Sequence, residues 1–305
     1  MNFMLVLQQM LMLLLMMFIG YVMERKHLLG ENANGILSKV VLNVTLPAQI
    51  ITSFSVDGGA LDNAALGRTF LFSAVVYAVY FAVAAVMVRL LKLPTEQRGT
   101  YQYMLIFGNV GFMGFPVITA IFGADKLVFA VIFNIVFNLL VFSVGLQMIA
   151  GAGQAAFDWR KLLNLPLLSS VLALVLFFLH IPLPQVVNSA LLTLGNATTP
   201  LAMLILGCTI AAMPLKELFE EWRVYLFVGV KLLVLPLLIF VLLKPLLPAD
   251  DVLGQILVVL SAMPVATNAT MMSVEYGGDV KLVSQGIFFT TVLSVLTIPL
   301  LVMVL

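Results

Sequence analysis

Two ten-residue stretches stand out for what their residue types can do inside an apolar chain. The first reads Phe107-Gly108-Asn109-Val110-Gly111-Phe112-Met113-Gly114-Phe115-Pro116, the second Ser261-Ala262-Met263-Pro264-Val265-Ala266-Thr267-Asn268-Ala269-Thr270. Proline lacks the backbone N–H and presses on the carbonyl four residues back, and glycine weakens a helix, so neither stretch favours an unbroken helix. A break leaves N–H groups bare at one half-helix N-terminus and carbonyls bare at the other's C-terminus. The N–H groups suit an anion, the carbonyls a cation or water. Asn109 and Asn268 add amides that both donate and accept. The candidate binding set is therefore Asn109, Gly111, Gly114 and Pro116 from the first stretch, with Pro264, Thr267 and Asn268 from the second. The plainer alternative makes the glycines close-packing positions and the prolines simple kinks.

Lys231, within Val228-Gly229-Val230-Lys231-Leu232-Leu233-Val234-Leu235-Pro236, joins the set as an electrostatic partner. It lies about 12 Å along a helix axis from Arg223. A cation there costs about 2.5–3.5 kcal/mol on insertion scales. A transported anion, or carbonyls freed beside Pro236, would compensate; snorkelling or a structural lock on a broken helix are the alternatives. Asn134 and Asn138 share one helix face and are expected to bond between helices. Met10, Met12, Met16 and Met17 read as apolar filler and not as a cofactor site.

The charges exclude several chemistries. The chain has fourteen acidic residues, and each falls in a loop or within about a turn of an apolar run's end. That argues against an antiporter built on buried aspartates, a carboxylate proton relay or a metal-dependent intramembrane enzyme. His27 falls in a loop and His180 at the end of a run, so no buried Ser–His pair is available. Two histidines and the single Cys208 build neither a zinc cage nor an intramolecular disulfide. No cofactor, no metal and no enzymatic activity are expected. A net charge of +1 offers nothing to nucleic acid.

The elements that must position these residues follow from composition. Of 305 residues, 63% are hydrophobic and 10% charged, with mean hydropathy +1.16. A water-soluble globule is nearer half apolar and a quarter charged. Spans of about 20 apolar residues account for the chain as an all-α polytopic membrane protein, its partner the lipid bilayer. The expected spans are 3–23, 33–55, 67–90, 100–122, 126–149, 164–180, 187–212, 223–247, 252–274 and 280–304. The first run, with no Lys or Arg before it and too long for a signal peptide, is expected to be a span. The loops after spans 1, 3, 5, 7 and 9 carry Arg25, Lys26, Lys39, Arg89, Lys92, Arg98, Arg160, Lys161, Lys216, Arg223 and Lys281. The opposite side holds Arg68, Lys126 and Lys244. Positive charge marks the cytoplasmic side, so both termini are expected outside and the 5–6 loop inside a cell membrane.

The two halves resemble one another at a nearly constant separation of about 154 residues, the mark of an internal duplication. Asn43-Val44-Thr45-Leu46-Pro47 is matched by Asn196-Ala197-Thr198-Thr199-Pro200, Arg68 by Arg223, Leu93-Pro94 by Leu247-Pro248, and Phe122-Gly123-Ala124-Asp125 by Tyr276-Gly277-Gly278-Asp279. The expected organisation is a five-helix repeat over 1–150, a cytoplasmic connection over 151–163 and a second five-helix repeat over 164–305. An odd span count turns the second copy upside down, the usual build of secondary transporters, whose sites lie at discontinuous helices near mid-membrane. The breaks in spans 4 and 9 should then cross, flanked by Asn43, Pro47, Asn196 and Pro200 of spans 2 and 7.

In order along the chain, these residues resemble the auxin efflux carrier family of membrane transport proteins, which includes prokaryotic malonate and malate carriers. The resemblance rests on Leu46-Pro47 with Phe54, Asn109-x-x-x-Met113-Gly114-x-Pro116, Leu206-Gly207, Lys231-Leu-Leu-x-x-Pro236, Pro264 with Glu275-Tyr276, and Pro299. It implies ten helices in two inverted repeats, a scaffold and a transport unit moving as an elevator, commonly a homodimer, and organic anions as substrates. It also assigns substrate binding to Asn109. Many members open span 6 with Asn-Pro where this chain has Asn164-Leu165-Pro166. Plant members carry an acid in span 3, where this chain offers Ser73, Tyr77 and Tyr80.

The function expected is secondary transport of a small mono- or dicarboxylate. A sodium-coupled organic anion symporter of the bile acid type is a rival that omission of sodium would separate. A membrane sensor that moves nothing is another, and it would show no flux for any ligand it binds.

Overall fold

A computed structural model of the chain describes residues 3–30, 33–53, 63–150, 165–179, 181–212, 220–248 and 251–304. Phe54, Asn164 and the 151–163 connection lie outside the described residues. Among those described, the chain is helical throughout, with no strand. The helices are α1 Phe3–Arg25, α2 Ala33–Ser53, α3 Asn63–Leu90, α4 Thr95–Ile106, α5 Val110–Phe122, α6 Ala124–Ala150, α7 Leu165–Phe178, α8 Gln185–Ala212, α9 Arg223–Leu243, α10 Val252–Ser261, α11 Asn268–Tyr276 and α12 Val280–Val302. Seven of them (α1, α2, α3, α6, α8, α9 and α12) are long and apolar enough to cross a membrane. The expected spans 4 and 9 each appear as two helices separated by a break, α4 with α5 and α10 with α11.

Proline shapes three of the helices, α2, α5 and α9, without breaking them. A proline in a helix has no N–H to give and crowds the carbonyl four residues back. Here the turn just before it widens, so that Leu46, Phe115 and Leu235 donate to carbonyls five residues back, Val41, Val110 and Val230. Pro47, Pro116 and Pro236 each stand two residues past the end of a wide π turn. Such turns recur at functional sites. A fourth, Val141–Gly145 in α6, has no proline. There Gly145 leaves room for the Phe107 ring, which a Cβ would meet at 2.9 Å.

Small residues decide which helices pack most closely. α1 lies along the second part of α8, where a Cβ on Gly207 would strike the Met17 carbonyl and one on Gly20 the Leu204 carbonyl. The Cys208 thiol donates to the Gly20 carbonyl at 3.3 Å across the same seam. α2 packs on α7 and on the first part of α8, with Gly195 against the Gln49 backbone. Elsewhere α3 packs on α4 and α6, Gly99 of α4 abuts the Met148 carbonyl of α6, and α9 packs on α10 and α12. Two groupings result, α1–α2–α7–α8 and α3 to α6 with α9 to α12. The second contains both breaks.

Candidate functional site

The breaks meet. α4 stops at Ile106 and α10 at Ser261, and the segments that follow run antiparallel past each other at Gly108 and Val265. The Asn109 N–H donates to the Pro264 carbonyl at 2.7 Å, and the Ala266 N–H to the Phe107 carbonyl at 3.1 Å. Backbone groups that lipid could never satisfy are thereby paired with one another. Pro264 fits because only its carbonyl is used. The third polar group, the Val265 N–H, donates to Thr290 Oγ1 of α12 at 3.0 Å, and that hydroxyl donates to the Gly286 carbonyl.

Glycine sets how near the segments come. A Cβ on Gly108 would stand 3.3 Å from the Met263 carbonyl oxygen, and one on Gly114 3.1 Å from Leu260 Cδ2. Gly111 differs, because among the described residues nothing lies within 4 Å of its missing side chain. The first turn of α5 therefore has open space on the face of Gly111.

Asn109 stands at the head of that turn. Its Oδ1 accepts from the Phe112 N–H at 3.2 Å and caps α5, as asparagine commonly does at this position. Its Nδ2 has no hydrogen-bond partner among the described residues, although the residue is only 3% exposed. A buried donor left unpaired costs about 1–3 kcal/mol, so the arrangement holds a donor in reserve at a helix N-terminus. Across the break, Thr267 and Asn268 are half-buried at the start of α11. Asn268 Oδ1 accepts from the Tyr103 hydroxyl at 3.3 Å, which ties α11 back to α4.

Lys231 reaches this junction from the wide turn of α9. It is 1% exposed, so it does not snorkel. Its ammonium donates to the Leu105 carbonyl at 2.8 Å and lies 5.7 Å from the Tyr80 ring centroid. The compensating carbonyl is thus at the C-terminal end of α4 and not beside Pro236. Leu105 has lost the partner one turn on, since the Asn109 N–H has gone to Pro264, and a cation at a helix C-terminus is favoured by the aligned peptide dipoles. Nζ also stands 3.4 Å from where a Cβ on Gly108 would be. Tyr80 closes the arrangement by donating to Ser261 Oγ at 2.7 Å, at the last turn of α10.

The family described as "Membrane transport protein" matches residues 5–158 and 154–302. The chain belongs to that family. It is 27% identical over 290 residues to an uncharacterised transporter of Methanothermobacter thermautotrophicus, covering 94% of both chains. It is 25% identical over 300 residues to an uncharacterised transporter of Methanocaldococcus jannaschii, covering 95% of this chain and 96% of that one. A Rhizobium meliloti protein named "Putative malonate transporter" is 27% identical over 301 residues, 93% of this chain and 90% of that one. The chain is accordingly a membrane transport protein with multiple apolar helices, as the resemblance implied.

Within this family member, the expected site residues fall into two sets. Asn109, Gly114, Pro264 and Lys231 are buried at or beside the paired breaks, Pro116 is buried two residues on from Gly114, and Gly111, Thr267 and Asn268 are half-buried next to them. Of the flanking residues, Pro47 is buried, whereas Asn43, Asn196 and Pro200 are exposed on the outer surface. The buried members of those two motifs are Thr45 and Thr198. Asn138 also departs from expectation: its amide bonds to the Asn134 carbonyl of its own helix at 2.8 Å. Tyr80, Tyr103, Ser261 and Thr290 hold the breaks in place; Ser261 was read only as the first residue of its stretch and Tyr80 only as one of three hydroxyls in span 3, and no bonding role was expected of any of the four. Their only signal was a hydroxyl in an apolar run, which many helix residues satisfy on their own backbone.

Proposed function

We propose that the chain is a secondary transporter of a small organic anion, a mono- or dicarboxylate, with its site at the paired breaks. The observation that carries this reading is the buried Asn109 amide, capping α5 with its oxygen while its nitrogen has no partner. A carboxylate beside Asn109 and the open face of Gly111 would take that donor and the positive end of α5 together. Lys231 behind Gly108 would add a full charge. The name carried by the Rhizobium relative supports a carboxylate.

In the same reading the chain forms ten spans in two inverted five-helix repeats, over 1–150 and 164–305, with both termini extracytoplasmic. The grouping α1–α2–α7–α8 serves as a scaffold, and the remaining helices carry the breaks across the membrane as an elevator, in a homodimer.

The test is uptake of labelled malonate, malate, lactate and indole-3-acetate into proteoliposomes. Asn109→Ala should insert and remain monodisperse while uptake falls to the level of empty vesicles. Uptake by this variant at the wild-type rate removes Asn109 from the site, and no uptake of any compound by the wild type removes the reading.

A further inference from the structure

Among the described residues, Lys231 is the one charged side chain buried within a span. Its surroundings are unusual for a permanent cation. An ammonium has three N–H donors, and the acceptors at hand are the Leu105 carbonyl and the face of Tyr80. The elements around it bring no counter-charge to its depth. On α3 the titratable groups away from the helix ends are Tyr77 and Tyr80, of which Tyr80 meets Lys231, and its charged residues are near its ends: Arg68, paired with Asp251, and Arg89. On α4 they are Tyr101 and Tyr103, with Glu96 and Arg98 in or near the first turn. α9 itself has Arg223 and Tyr225 in its first turn, α10 has only the capping Asp251, and α12 has Lys281, beside Glu220, in its first turn.

We propose that Lys231 is the proton-carrying group that couples carboxylate movement to the pH gradient, with one proton bound per anion. This rests on the transport reading above. Nζ sits 3.4 Å from where a Cβ on Gly108 would be, one residue before Asn109, so Lys231 adjoins the segment whose next residue carries the unpartnered amide. With the anion in place the ammonium has a counter-charge. With the site empty, the Leu105 carbonyl and the C-terminal end of α4 give the cation only partial compensation, and loss of the proton removes the charge altogether. The hydrogen bond to Leu105 survives either way, because an amine retains two N–H groups. The half-helix α4 therefore stays capped throughout the cycle, while the charge next to the site comes and goes. The proton is taken onto the Nζ lone pair from the side the anion enters and is released with the anion on the other; no other bond forms or breaks.

Two measurements test this. In weakly buffered detergent solution at alkaline pH, a pH indicator should record one proton taken up by the wild type for each malonate bound. Malonate binding without proton uptake overturns the proposal and needs no variant. In proteoliposomes with the membrane potential clamped at zero by potassium and valinomycin, one coupled proton lets the accumulated malonate ratio rise about tenfold per pH unit of gradient. Asn109→Ala vesicles provide the blank. Lys231→Arg keeps the cation and should still exchange malonate at symmetrical pH, while gradient-driven accumulation falls to a ratio of about one. Lys231→Met should lose both. A Lys231→Met protein that accumulates malonate as the wild type does overturns the proton role and leaves the transport reading standing. Wild-type vesicles that take up no carboxylate overturn both.

Discussion

Thr290 does two things at once. Its hydroxyl accepts from the Val265 N–H in the break after α10 and donates to the Gly286 carbonyl one turn back on α12. Thr290→Val keeps the shape and removes the acceptor, leaving a fully buried N–H unpaired, at a cost of about 1–3 kcal/mol. We expect a lower Tm in detergent and slower carboxylate uptake; an unchanged Tm would mean that Val265 finds another acceptor. Thr290 also shows where reading residues from sequence stops. Asn109, Pro264 and the glycines were legible because three helix-disfavouring residue types crowd into ten positions of an otherwise apolar run. Thr290 and Tyr103 were not, since a lone hydroxyl in an apolar helix looks the same whether it serves its own turn or a neighbour's break. Lys231 was legible as an anomaly, but its partner was not. That partner is a backbone carbonyl of Leu105, freed only because the Asn109 N–H has turned to Pro264.

At the scale of elements, four of the prolines divide between two outcomes that the sequence did not separate. Pro47, Pro116 and Pro236 are each absorbed by a wide turn within a helix that continues, whereas Pro264 sits in a true break. The difference lies in the partner segment. Pro264 has the Asn109 N–H across from its carbonyl, so the interruption is stabilised by another chain segment running antiparallel. Glycines divide in the same way, and two substitutions separate the kinds. Gly207→Ala pushes a methyl into the Met17 carbonyl and to 2.6 Å from the Tyr21 nitrogen, both backbone atoms of α1 that cannot swing aside. Overpacking of that sort costs about 1–3 kcal/mol, so Tm should fall clearly. Gly111→Ala meets nothing within 4 Å and should leave stability within about 0.5 kcal/mol. Its methyl would nonetheless occupy the open face beside Asn109, so uptake should fall while Tm holds. The reverse pattern, a destabilised Gly111→Ala with normal uptake, would place the substrate elsewhere.

For the whole molecule, the question is whether the second half really is the first turned over. The structure adds a detail to the sequence match of Phe122-Gly123-Ala124-Asp125 with Tyr276-Gly277-Gly278-Asp279. Both motifs end a helix, and Gly123 and Gly277 both adopt positive φ, +96° and +74°, the region glycine tolerates best. Asp279 then caps α12 through the Leu282 N–H, while Asp125 instead pairs with Lys126. A glycine with positive φ thus ends the helix after each broken pair, although ψ differs, 161° at Gly123 against 25° at Gly277. If each half crosses the membrane five times, these two turns must open on opposite sides. The buried Cys208 can be replaced by Ser, whose hydroxyl can donate to the Gly20 carbonyl in its place. On that background, Ala124→Cys, at an exposed position, should react with a membrane-impermeant maleimide in intact cells. Lys281→Cys, at the start of α12, should react only after the membrane is opened, since the side richer in Lys and Arg is cytoplasmic. Labelling of both from outside would eliminate the inversion. The meeting of the two breaks would then have to be explained by packing alone.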